Sequence, residues 1–214
     1  MLTKEMILQA LSNCIFDELC DRNYYDNVIS NMDTTILPRS YNTGATKLVL
    51  TPPGEDFVIK IPFEGETWDK EDFSPFENAQ EPNGWDYCRV EVLQYQKAVE
   101  AGLEEFFAET EYIGHIKGHP IYIQTKVDIF EDIRDPYYDY EEETISSTKD
   151  TCKKLEVGCF HKYWLTDFLD YFNERDLLKL SQHLSNNDIG DLHGGNLGYI
   201  EGQPIIVDYS GYWE

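Results

Sequence analysis

The apolar pattern of this chain changes character near Lys126 to Phe130. Before that point, short strand-like runs are separated by turn residues. After it, most apolar residues recur at helical spacing. A chain whose strands precede its helices is expected to fold as α+β, with an antiparallel sheet in one part and helices in the other. The 214 residues suffice for one substantial domain or two small lobes. On this pattern residues 1–34 form an N-terminal helical extension, 35–127 a sheet-bearing lobe, and 128–214 a smaller, mostly helical lobe.

Thr3 is suited to cap a helix running to about Cys20, with Leu8, Leu11, Ile15 and Leu19 along one face. Asp21 to Asp33 is polar and turn-rich. Strands are expected at Thr35 to Tyr41, Ala45 to Leu50 and Asp56 to Phe63, with Pro52-Pro53-Gly54 turning between the last two. In the third strand Phe57, Ile59 and Ile61 share one face, and Val58, Lys60 and Pro62 the other. A lone lysine on an otherwise apolar face requires an explanation. Residues 64–83 form an acidic insertion. Asn83 can cap a helix to about Ala101, with Val90, Leu93 and Ala98 on its apolar side, Glu91 beside them and Gly102 just past the end. Glu109 to Ile116 and Pro120 to Val127 suit a hairpin around Lys117-Gly118. Helices are expected at Thr148 to Cys159, Lys162 to Phe172 and Glu174 to Leu184. A last hairpin, Leu197 to Ile200 and Pro204 to Asp208, turns at Glu201-Gly202.

Charge bounds the partners. Seventeen basic residues against 41 acidic ones leave a formal net charge of −24. Such a field repels nucleic acid and anionic membrane surfaces, so neither is an expected partner. It also opposes free ATP, so a nucleotide site here needs a cation and local lysines. Five cysteines lack the close pairing of a metal site or a disulfide framework. No signal peptide or membrane-spanning run is visible, and a cytoplasmic protein is expected.

Asp191-Leu192-His193-Gly194-Gly195-Asn196 carries the strongest chemical signal, followed by Asp208 at the end of the apolar run Ile205-Ile206-Val207. Phosphoryl transfer needs one carboxylate to orient a hydroxyl, and an amide and a second carboxylate to hold Mg²⁺ on phosphates. Upstream stand a glycine turn, Gly44-Ala45-Thr46-Lys47, the strand lysine Lys60 and the helical Glu91. In that order these elements resemble the protein-kinase-like superfamily over roughly Ile36 to Gly211. The Asp-x-His-x-x-Asn form is closer to aminoglycoside and choline phosphotransferases than to typical eukaryotic protein kinases. The chain departs from the typical pattern at Ile189-Gly190, where His-Arg would stand, and at Ser210, which replaces a glycine. Six residues follow Asp208, so the later helices of the large lobe are absent from this sequence and the helical lobe is expected to be a reduced one.

The resemblance implies a bilobal fold and the cofactors ATP and Mg²⁺. Gly44, Thr46, Lys47 and Lys60 would contact phosphates, with Lys60 held by Glu91. Val127 and Asp128 would begin the adenine-contacting hinge. Asn196 and Asp208 would hold the metal, Asp191 would orient and deprotonate the acceptor hydroxyl, and His193 would support the loop. The acceptor stays open between a protein and a small molecule, and the acidic stretch Asp128 to Glu143 suits a cationic one as well as it suits a solvated insertion. Alternatives also stay open: an inactive kinase-like module that binds nucleotide or a partner, a nucleotidyl transferase, and an acidic charge mimic.

Overall fold

A computed structural model describes residues 2–16, 25–37, 40–43, 46–62, 86–130, 165–190, 192 and 194–210. The insertion 64–83, the cap expected at Asn83 and the helix expected at Thr148 to Cys159 lie outside these, as do Gly44, Asp191 and His193. The fold is mixed α+β with an antiparallel sheet. The chain divides into two compact units: Met1–Leu93 with Glu109–Lys126, and Gln94–Ala108 with Val127–Glu214. Among the described residues no helix is long and apolar enough to cross a membrane.

The first unit is built on a five-stranded sheet in the order β1-β2-β3-β5-β4. Its strands are β1 (Tyr41–Thr43), β2 (Lys47–Leu50), β3 (Phe57–Pro62), β4 (Thr110–Ile116) and β5 (His119–Thr125). Every adjacent pair is antiparallel. The β4–β5 turn places Lys117 and Gly118 at φ 52° and 86°, the left-handed geometry a tight hairpin demands. Alternation then sorts the side chains. Leu48, Leu50, Ile59, Ile61 and Ile121 join one apolar core with Ile7, Leu11, Val28 and Leu37 from the N-terminal segment. The opposite face carries Lys60 and Tyr122, paired across β3 and β5.

Three expectations for the N-terminal segment are corrected. The first helix, α1, spans Lys4–Leu11 and ends well before Cys20, although Thr3 caps it as expected. Tyr25–Asn31 is a helix, α2, within a stretch read as turns. Val28, Ile29 and Met32 are buried there at helical spacing, so packing overrides the weak helix propensity of its Asp and Asn residues. Thr35–Leu37 is a turn and not the start of a strand. The Asp33 carboxylate accepts from the Thr35 backbone N–H and hydroxyl, and the Asp33 carbonyl accepts from the Ile36 and Leu37 N–H groups. A local Asp-centred turn thus overrides the β-branched residues after it.

Helix α3 spans Tyr87–Ala101. Asp86 caps it, its Oδ1 accepting from the Arg89 N–H at 3.0 Å, and Gly102 follows at φ 65°. Its buried face is Cys88, Glu91, Val92, Gln94 and Ala98. Val90 and Leu93, expected on that face, are only half-buried. Two polar residues therefore occupy positions that pattern alone would assign to apolar ones.

The second unit holds a three-stranded sheet, β6 (Asp128–Ile129), β7 (Leu197–Ile200) and β8 (Gln203–Ile206), with α4 (Leu165–Tyr171) and α5 (Glu174–Asn186). Asn173 caps α5, accepting from the Asp176 N–H. Its core gathers Phe106, Phe130, Phe168, Leu180, Ile206 and Tyr209. Tyr209 donates its hydroxyl to the Ala108 carbonyl at 2.6 Å. Gly198 has no room for a side chain: a Cβ there would lie 2.3 Å from the Asp128 carbonyl oxygen. That close approach lets β6 pair with β7.

Candidate functional site

The lysine on β3 has its partner. Lys60 Nζ lies 2.7 Å from Glu91 Oε2, with the lysine 4% exposed and the glutamate fully buried. A long acidic stretch separates the two in sequence, so their meeting depends on α3 packing across the sheet. A second ammonium reaches the same carboxylate: Lys47 Nζ lies 2.6 Å from Glu91 Oε1. Lys47, expected in the strand Ala45 to Leu50 and at the end of the glycine turn, is the first residue of β2 and is itself 3% exposed. Register explains this. Lys47 pairs with Pro62 and Val49 with Lys60, so the two lysines are diagonal neighbours on one face. Thr46, next to it, is half-buried.

Two further residues complete the cluster, and sequence reasoning did not single them out. The Thr110 hydroxyl and the Gln124 amide each lie 3.3 Å from Glu91 Oε2, and Gln124 Nε2 donates to Thr110 Oγ1 at 2.7 Å. Thr110 and Gln124 are a registered pair across β4 and β5, on the face that carries Lys60. The available signal was the alternation Pro120, Tyr122, Gln124 in β5. Burying a carboxylate is tolerable only with such charged and hydrogen-bonded compensation.

Acidic and nucleophilic groups gather beside this cluster. The Asp86 carboxyl is pushed up to about 6, first by burial, with the hydrogen bond donated by the Tyr122 hydroxyl acting the other way. Burial also raises the Cys88 thiol well above its ordinary value, and the neighbouring Glu91 adds to that. Cys88 is therefore held as a neutral thiol, not a thiolate nucleophile.

In the second unit, Asn196 ends a 3-10 turn (Gly194–Asn196) and leads into β7, while Asp208 follows β8. The Val207 N–H donates to the Asn196 carbonyl at 2.8 Å, so both residues stand at the open end of one hairpin. Ser210 Oγ donates to Asp208 Oδ1 at 3.0 Å. Among the described residues, no three His, Cys, Asp or Glu side chains gather as a metal site. Asp128 opens β6 and is exposed, pairing with Tyr199, and Val127 precedes it, half-buried. The structure thus brings Lys47, Lys60 and Glu91 together in one unit, and places Asn196, Asp208, Val127 and Asp128 in the other.

No protein-family model matches this chain, and neither a curated protein nor a solved structure does.

Proposed function

We propose that the protein is an Mg²⁺- and ATP-dependent phosphotransferase of bilobal, kinase-like type, acting on a hydroxyl of a protein or small molecule. The observation that carries this reading is the buried Lys60–Glu91 ion pair, strand to helix, where the order of motifs calls for it. Lys60 holds α/β-phosphate oxygens, and Glu91 keeps its ammonium in place. Asn196 and Asp208 supply an amide oxygen and a carboxylate at one hairpin end, hard oxygen donors of the kind Mg²⁺ takes. The ion would neutralise charge on the phosphates. Asp191 orients the acceptor hydroxyl and accepts its proton, and in-line transfer then needs mainly positioning. Val127 and Asp128 contact the adenine. With a net charge of −24, a cationic small molecule or a basic protein is the favoured acceptor. The buried free thiols Cys14 and Cys88 support a cytoplasmic setting.

The test is transfer of labelled γ-phosphate to a mixed panel of basic proteins and aminated small molecules. We expect Mg²⁺-dependent label that falls at least about a hundredfold in Asp208→Ala and Asp191→Ala, as loss of metal or base contacts requires. Undiminished transfer in Asp208→Ala would overturn the assignment.

A second reading has its own support. Lys47, Lys60 and Glu91 are at most 4% exposed, which also suits an ion-paired centre that stabilises a nucleotide- or partner-binding module without transfer. Mg²⁺-dependent ATP binding with no transfer to any acceptor would favour it.

A further inference from the structure

Helix α3 carries a second buried polar residue, Gln94, three positions after Glu91, and its surroundings are of another kind. Gln94 belongs to the second unit, where its Nε2 donates to the Asn187 carbonyl at 3.1 Å. Asn187 closes α5. Its side-chain Nδ2 donates to the His183 carbonyl at 2.8 Å and lies 3.4 Å from His183 Nδ1. The amide is oriented by its stronger bond, so it presents N–H to the ring. His183 Nδ1 is then the acceptor, and the ring proton sits on Nε2.

That assignment leaves a conflict. His183 is 9% exposed and Gln94 8%. Among the described residues, both His183 Nε2 and Gln94 Oε1 are buried and meet no hydrogen-bond partner. A second proton on the imidazole would make matters worse in three ways. Nδ1–H would face the Asn187 N–H donor. Nε2–H would still lack an acceptor, now on a charged ring. The Lys97 ammonium, one turn beyond Gln94 on α3, would repel it. Burial first, and Lys97 second, hold the ring's proton affinity below its ordinary value. Among the described residues, the charged group that acts on the ring is the Lys97 ammonium. Lys97 faces it from α3, and Phe107 packs its ring edge-on at 5.9 Å. On α5 itself the residues one turn away are Lys179, engaged with Asp176, and Asn187.

We propose that Gln94, Asn187 and His183 form a proton-operated latch on the C-terminal end of α5. The latch is closed when His183 is neutral. Protonation drives the ring out, frees the Asn187 side chain from its cap and opens the last turn, through which Asn187 and Ile189 donate to the His183 and Leu184 carbonyls. The sign follows from linkage. The open ring binds protons with an ordinary affinity near pH 6.5 and the closed ring more weakly, so opening grows as pH falls below about 6.5. The latch is independent of the phosphotransfer reading.

The experiment is amide hydrogen exchange on the full chain from pH 7.5 to 5.5, corrected for intrinsic rates, with His183 titration followed by NMR. Protection of the Asn187 and Ile189 amides should fall with pH below about 6.5, by up to about tenfold per pH unit for a single proton. His183→Gln, which cannot charge, should abolish that pH dependence. Lys97→Met, a surface change, should weaken it by removing the repulsion. Equal protection at both pH values in the wild type, or the same pH dependence in folded His183→Gln and in Lys97→Met, would overturn the proposal.

Discussion

Glu91 and Gln94 lie one turn apart on α3, both buried, and their surroundings differ in kind. Glu91 is held by two lysines, a threonine and a glutamine, each on a strand of the five-stranded sheet. Gln94 bonds one carbonyl, and among the described residues its own oxygen meets no donor. The first arrangement concentrates charge and compensates it, which makes it rigid and intolerant of losing one member. The second is neutral and partly unsatisfied, which makes it weak and easily reorganised. Polar burial on one helix thus takes two forms: a charged cluster whose members compensate one another, and a neutral one that is only partly satisfied.

The largest expected effect comes from unbalancing the charged cluster. Glu91→Leu leaves two buried ammonium groups facing each other and should cost about 3–5 kcal/mol in urea unfolding. Replacing all three members, Lys47→Met, Lys60→Met and Glu91→Leu together, should recover most of that stability. Under the proposed function the triple variant loses ATP affinity all the same. A triple variant as stable as wild type that binds ATP normally would reduce the cluster to a structural feature.

Asp86 offers an intermediate effect with a defined pH window. Its folded carboxyl titrates at about 6, against 3.8 when unperturbed. Below 3.8 both folded and unfolded chains hold the proton, and Asp86 is neutral in its effect. As pH rises to about 6 the unfolded chain ionises first, so the stability associated with this group is progressively lost. Asp86→Asn should therefore be more stable than wild type at pH 7 by on the order of 1–2 kcal/mol, with the gap closing towards pH 4. That figure is reduced because the side chain is only partly buried by area. Thermal unfolding at several pH values checks it, and a gap independent of pH would sink the idea.

The smallest effect is expected at Gln94. Gln94→Leu removes one weak hydrogen bond and one unmet acceptor together, so stability should change by about 1 kcal/mol or less in either direction. A loss comparable to that of Glu91→Leu would erase the contrast between the two networks.

Much of the fold was readable from residue order. The hairpin turning at Lys117-Gly118, the β3 alternation around Lys60, the helix from Glu174 and the last hairpin all follow local rules of period and turn chemistry, and each stands where those rules place it. What escaped did so for identifiable reasons. Asp33 organises a turn through its side chain, which overrides the strand preference of Thr35 and Ile36. α2 is polar in composition and owes its helix to Val28 and Ile29, buried in tertiary packing with Met32 just past its end. Lys47 was placed in its strand, but that it shares a face with Lys60 follows from register, which cannot be read from one strand alone.

The candidate site divides the same way. That Lys60 requires an explanation follows from its place on an otherwise apolar strand face, and alternation suffices to say so. The order of motifs had named Glu91 as its partner; that the carboxylate is shared with Lys47 and flanked by Thr110 and Gln124 was settled by sheet register and by how α3 lies across the strands. The partner of Gln94 was settled the same way, since Gln94 and Asn187, 93 positions apart, meet only after the helices pack. Local chemistry determines which side chains require partners. Which partners they find is a property of long-range packing, where burial makes an unmet charge or hydrogen bond costly enough to select one arrangement.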